Sequence, residues 1–166
     1  MGYNIYIGNA ELESSWPTGS EYDNSYPEAK WVVAPLSLGQ APYFSDSDRG
    51  NGRDPSYSTW ADFCREVGLY DWMLKQHEGK MGQHPGCAAL FPSDAEMLTQ
   101  KLEEYRQQHP NEEATFCECS ACDDWGKKDK PPHNPNASPT LARLTWLTWW
   151  VNWAVANCER PAIHNT

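Results

Sequence analysis

Cys117, Cys119 and Cys122, within "CECSAC", are spaced C-x-C-x-x-C. Zinc takes four ligands in a tetrahedron, and C-x-x-C is a common half-site for it. Three thiolates need a fourth partner, and His109, His133, Cys87 and His84 are the candidates. No second C-x-x-C exists, so a loop with incidental or redox-active thiols competes with the zinc reading. In "HPGC", His84 stands three residues before Cys87. A Cys–His pair can make an activated nucleophile, but Pro85-Gly86 reads simply as a turn. "DSDRGNG", residues 46–52, resembles the start of a calcium loop. Its glycine is misplaced, and the twelfth position from Asp46 is Tyr57 where a Glu is needed. The chain contains no G-x-S-x-G, G-x-x-x-x-G-K-[ST] or H-E-x-x-H, and no H-x-E with P-C-x-x-C. No specific reaction is therefore indicated. Glu112-Glu113 and Asp123-Asp124 read as solvated surface.

Binding chemistry has a stronger signal. "TWLTWWVNWAVANC", residues 145–158, holds four of the nine tryptophans. At about 100° per helical residue, Trp149, Trp150 and Trp153 all fall within roughly 60° of Trp146. Leu141, Leu144, Leu147, Val151, Val155 and Cys158 fall on the opposite side. Thr145 and Asn152 make a polar seam on one border, and Arg143 lies on the other. A helix apolar nearly all round is central to its fold. One reading puts all four indoles in the core. The other leaves one or two indoles, beside Arg143, to line a pocket for a flat ligand. Stacking contributes about 1–3 kcal/mol per base, and an arginine can hold a phosphate. An interfacial membrane helix would need a strongly basic polar face, which one arginine does not supply.

The elements that position these residues read as α+β, mainly helical. Short N-terminal antiparallel strands pack on about three helices, the last one central and Trp-rich. "YNIYIGNAEL" (3–12) alternates in part, with Tyr3, Ile5 and Ile7 on one face. "KWVVAPL" (30–36) is a second β-branched run, stopped by Pro35. Residues 37–58 form a long polar loop, of the kind that is functional or disordered. "STWADFCREV" starts a helix, with Thr59 as cap and Asp62 as its box partner. Trp60, Phe63, Cys64 and Val67 share its apolar face, and Gly68 interrupts it. "SDAEMLTQKLEEYRQQHP" is the clearest helix, with Ser93 as cap, Glu96 completing the box and Pro110 as stop. Its narrow stripe is Leu98, Leu102 and Tyr105. Residues 111–137 form a Cys-containing loop or insert. Ser138 and Pro139 then start the tryptophan helix.

A length of 166 residues suggests a single domain, 1–166. Hydrophobic content is 39% and aromatic content 13%, enough to close a core with few aliphatics. Thirteen basic against twenty-three acidic residues give a net charge of −10. No basic stripe is present, so direct nucleic-acid binding is disfavoured. The acidity serves solubility or faces a basic protein. The N-terminal residues show no signal-peptide pattern, and Tyr6 breaks the myristoylation motif. No apolar run reaches the roughly 20 residues that span a bilayer. A cytoplasmic protein is expected, with its six cysteines reduced or metal-bound.

Three stretches, "PSYSTWADFCREVGLYD", "QHPGC" and "LARLTWLTWWVNWAVANCERPAIHN", resemble a group of small uncharacterised proteins encoded by phages and prophages. With the opening "MGYNIYIG", the resemblance spans about two-thirds of the chain; "CECSAC" stands outside it. It implies an accessory protein of the infected bacterial cytoplasm, and many such proteins counter host defence. Two functions follow as expectations. One is a non-enzymatic binder that sequesters a small nucleotide-like signalling ligand, with Tyr57, Trp60, Arg65, Arg143, Trp146, Trp150 and Trp153 forming the pocket. The other is an acidic interaction module, stabilised by zinc in one version, that blocks a host protein. A homo-oligomer is compatible with either.

Overall fold

A computed structural model describes residues 4–13, 31–42, 50–116 and 134–166. The described elements are β1 (Ile5–Leu12), β2 (Trp31–Val33), β3 (Gly52–Arg53), α1 (Tyr57–Glu66), α2 (Tyr70–Leu74), β4 (Gly86–Ala89), α3 (Pro92–Gln108), α4 (Pro139–Asn157) and β5 (Pro161–Asn165). The fold is α+β: an antiparallel sheet ordered β2-β1-β5-β4, with β3 also on β1, and α4 against it.

The C-terminal strand is the unexpected element. β5 inserts between β1 and β4, pairing Ile7 with Ile163 and Ala88 with Ile163. Pro161 is its first residue, where a missing N–H is tolerated. Because side chains alternate along a strand, Ile5, Ile7 and Ile163 enter the main core. Ala10, Val33 and Ala162 face the other way and form a second, small cluster with Tyr6 and Cys87. "HPGC", read from sequence as a turn, instead enters β4 at Gly86. Within 37–58, the described residues 37–42 and 50–58 carry more structure than a polar loop. Asn51 is buried, donates to the carbonyls of Ile7 and Ala34 (both 2.9 Å), and accepts from the Leu36 N–H (2.7 Å). Its side chain thereby ties β1 to the stretch after β2.

Two helix starts lie upstream of the expected ones. Ser56, not Thr59, caps α1: its hydroxyl accepts from the Thr59 N–H at 3.3 Å. α3 begins at Pro92, and the Asp94 carboxylate accepts from the Phe91 N–H at 2.7 Å, displacing the Ser93–Glu96 box. Proline fits a first helical position because its absent N–H has no partner there in any case. Asp94 also accepts from the Trp72 indole (2.7 Å) and pairs with Lys80 (3.0 Å). α1 ends at Glu66, and Gly68 just beyond its cap Val67 takes φ +68°. The Gly68 N–H reaches the Arg65 carbonyl and the Leu69 N–H reaches that of Cys64, the paired bonds of a left-handed helix stop.

α4 lies where the sequence places it. The Ser138 hydroxyl accepts from the Leu141 N–H at 3.1 Å, and Pro139 follows. The helix touches β1 and β5 on one side and α3 on another. Leu141, Leu144, Leu147, Val151 and Ala154 are buried. No helix among the described residues is long and apolar enough to cross a membrane.

Candidate functional site

The four indoles of α4 divide into two pairs. Trp146 and Trp150 are both 0% exposed, and Trp60 of α1 is 1% exposed. Trp60 meets Trp146 edge-to-face at 6.3 Å and Phe63 at 5.1 Å, the arrangement that aromatic quadrupoles favour. The Trp146 indole N–H donates to the Gly50 carbonyl at 2.9 Å, and the Arg53 guanidinium lies 5.5 Å from its ring. These three rings, expected to line a pocket, are walls of the core with no face open to a ligand.

Trp149 and Trp153 are half-buried instead. Each packs edge-to-face on Trp150, at 4.9 and 5.5 Å. Their remaining surface borders a groove of about 450 Å³ between α3 and α4. From α4 the groove also receives Thr145, Thr148 and Asn152; from α3 it receives Leu102 and Arg106. The spacing explains the set. Thr145, Trp149 and Trp153 follow one another at i, i+4, i+8, as do Leu102 and Arg106 at i, i+4, so each helix offers one continuous edge.

The polar seam holds the two edges together. The Asn152 amide donates to the Thr99 hydroxyl (3.1 Å) and to the Thr148 carbonyl (2.8 Å). The Thr148 hydroxyl reaches the Leu98 carbonyl at 3.4 Å. α3 therefore docks through hydrogen bonds at one end of the stripe and through Leu98 at its centre. The Thr145 hydroxyl is buried beside the groove and meets no hydrogen-bond partner among the described residues. Arg106 is exposed and forms no ion pair with any described residue. The groove thus combines two indole surfaces, the Arg106 guanidinium and the Asn152 amide. Its described lining contains no carboxylate, thiol or imidazole.

The other expected site residues lie elsewhere. Arg143, on the opposite border of α4, is half-buried with its guanidinium 5.4 Å from the Phe116 ring. Burial lowers its proton affinity, and the Glu66 charge offsets part of that. Arg65 pairs with Asp62 at 3.0 Å and covers the Tyr70 ring at 4.8 Å. Tyr57 is 39% exposed at the start of α1. Sequence reasoning passed over Trp149 and Arg106. The signal for Trp149 was present, because of the four indoles it lies closest to the Thr145–Asn152 seam.

Cys117, Cys119, Cys122 and His133 lie outside the described residues. The described ends of their segment are held together: the Glu113 N–H donates to the Asn136 carbonyl (2.8 Å) and the Ser138 N–H to that of Glu113 (2.9 Å). Among the described residues no group of three metal-ligating side chains converges. His109 stacks on Tyr105 at 4.3 Å, with Nδ1 3.2 Å from Glu112. His84 turns to Asn165, at 2.9 Å. The residue abreast of Cys87 is His164, on the neighbouring strand. Burial pushes the Cys87 thiol up from its ordinary pKa, which favours the protonated, weakly nucleophilic form. Comparison of the chain with family models, curated proteins and solved structures finds no match.

Proposed function

We propose that this protein is a non-enzymatic binder of a small nucleotide-like ligand, seated in the groove between α3 and α4. The observation that carries the reading is the pairing of two half-exposed indoles, Trp149 and Trp153, with the uncommitted guanidinium of Arg106. A base stacks on an indole, and Arg106 on the facing helix takes a phosphate. The Asn152 amide hydrogens are already given to Thr99 and Thr148, and its side-chain carbonyl accepts from the base edge or sugar. In this reading the chain is mainly helical in its working part, and the sheet serves as the support for α4. Sequestration of a signalling nucleotide in a bacterial cytoplasm, by an accessory protein of phage type, is the role that fits such a binder. Support for that context is the sequence resemblance alone.

A titration with cyclic and ADP-ribose-type nucleotides tests the seat. A ligand that binds there quenches indole fluorescence and raises the melting temperature. If no member of the panel does either, the reading is lost. The net charge of −10 favours a second reading, an acidic module that blocks a basic host protein. That reading expects a complex in host extract that weakens with added salt; no complex at low salt would eliminate it.

A further inference from the structure

The sheet carries a second depression, on the face turned away from α4. Its floor is Ala10, Ala162, Ala89 and Cys87, and its volume is about 530 Å³. Three of these side chains end at Cβ, which leaves a shallow floor; Ala89 is exposed on it, while Ala10 and Ala162 are buried against their neighbours. Trp31 and Phe91 stand at the rim, 39% and 55% exposed. Such large apolar surfaces at the edge of one apolar hollow are an uncommon use of exposed area.

Charge narrows what the hollow accepts. The Lys80 ammonium lies 4.9 Å from the Phe91 ring, but it is committed to Asp94 (3.0 Å) and to the Ala89 carbonyl (2.8 Å). Arg160 lines the hollow and lies 5.2 Å from the Trp31 ring. Its guanidinium has no ion pair among the described residues, although acidic residues outnumber basic ones twenty-three to thirteen. One planar cation at the mouth of an apolar hollow matches one carboxylate on an apolar body. Among the described residues the floor offers, besides the Cys87 thiol, no polar side chain for a sugar or for a second charged group.

We propose that this hollow binds a small aromatic monocarboxylate. The ring lies over the alanine floor between Trp31 and Phe91, and the carboxylate takes the Arg160 guanidinium. The site is independent of the α3–α4 groove and shares no residue with it.

Cys87 in the floor makes the site testable. The full-length protein is treated with iodoacetamide at mildly alkaline pH, and modification at each cysteine is followed by peptide mass spectrometry. The probes are 2-naphthoate and its neutral isostere 2-naphthamide. Saturating naphthoate should slow Cys87 alkylation about tenfold, while Cys158, at the end of α4, is unaffected. In Arg160→Gln the naphthoate concentration giving half-protection should rise about tenfold, the loss of a charge-assisted hydrogen bond. Protection by the amide should be the same in both proteins, which also shows that the variant is folded. Three outcomes overturn the proposal: no protection of Cys87 by naphthoate, equal protection of Cys158, or an unchanged naphthoate response in Arg160→Gln.

Discussion

Trp146 and Trp149 stand three positions apart on one helix and have different fates. Trp146 is sealed beneath Trp60 and bonded to the Gly50 carbonyl; Trp149 keeps part of its surface at the groove. Trp146→Ala should therefore cost about 3–5 kcal/mol of unfolding free energy. Trp149→Ala should cost less than about 2 kcal/mol. Chemical denaturation of the two variants compares them directly, and equal losses would place Trp149 in the core. Tyr105 supplies a pH test. Burial, foremost, with the charges of Glu112 and Glu66, pushes its hydroxyl up to about 12, while a hydrogen bond with Ser138 acts the other way. A raised folded-state pKa means that the contribution is complete below the ordinary value of 10 and is lost as pH rises through about 12. Stability should fall across that window in the natural protein. Tyr105→Phe should remove this part of the fall, and an unchanged pH slope would show that the hydroxyl is not protected.

At the scale of elements, legibility followed how local the determinants were. α4 was readable because Ser138, Pro139 and the apolar angular pattern all lie within its own residues. The stop of α1 was readable for the same reason. Gly68 sits at φ +68°, a conformation that costs other residues about 1–2 kcal/mol. Gly68→Ala should cost about 1 kcal/mol, measurable by thermal unfolding, and a neutral result would mean that the helix stop relaxes. β5 was not readable. "PAIHN" is short, opens on proline and ends in polar residues, and its place between β1 and β4 depends on partners far off in the chain. Asn51 was missed for a related reason: its side-chain partners are backbone groups 44 and 17 residues away. The groove fell between these cases. Its indoles were visible in α4, but the cation came from α3. Sequence reasoning chose Arg143 on the same helix, whereas the docking of α3 turns the opposite border of α4 toward Arg106.

At the scale of the molecule, the α3–α4 groove and the sheet hollow lie on different layers, and each joins aromatic surface to one arginine without an ion pair among the described residues. The α3–α4 groove adds the Asn152 amide, the polar group the proposed nucleotide would use; the sheet hollow is nearly all apolar. The net charge of −10 acts on both. It opposes entry of polyanions, so small ligands of low charge should bind better than oligonucleotides, and the preference should shrink as salt is added. The central claim is the seat on Trp149, Trp153 and Arg106. It is tested most directly by the dissociation constant of the tightest nucleotide from the panel, measured by calorimetry in the natural protein, in Trp153→Ala and in Arg106→Gln. Each substitution should weaken binding about tenfold or more, through lost stacking in one and a lost phosphate contact in the other. The Arg106→Gln effect should vanish for the corresponding nucleoside. Undiminished nucleotide affinity in both variants would contradict the claim.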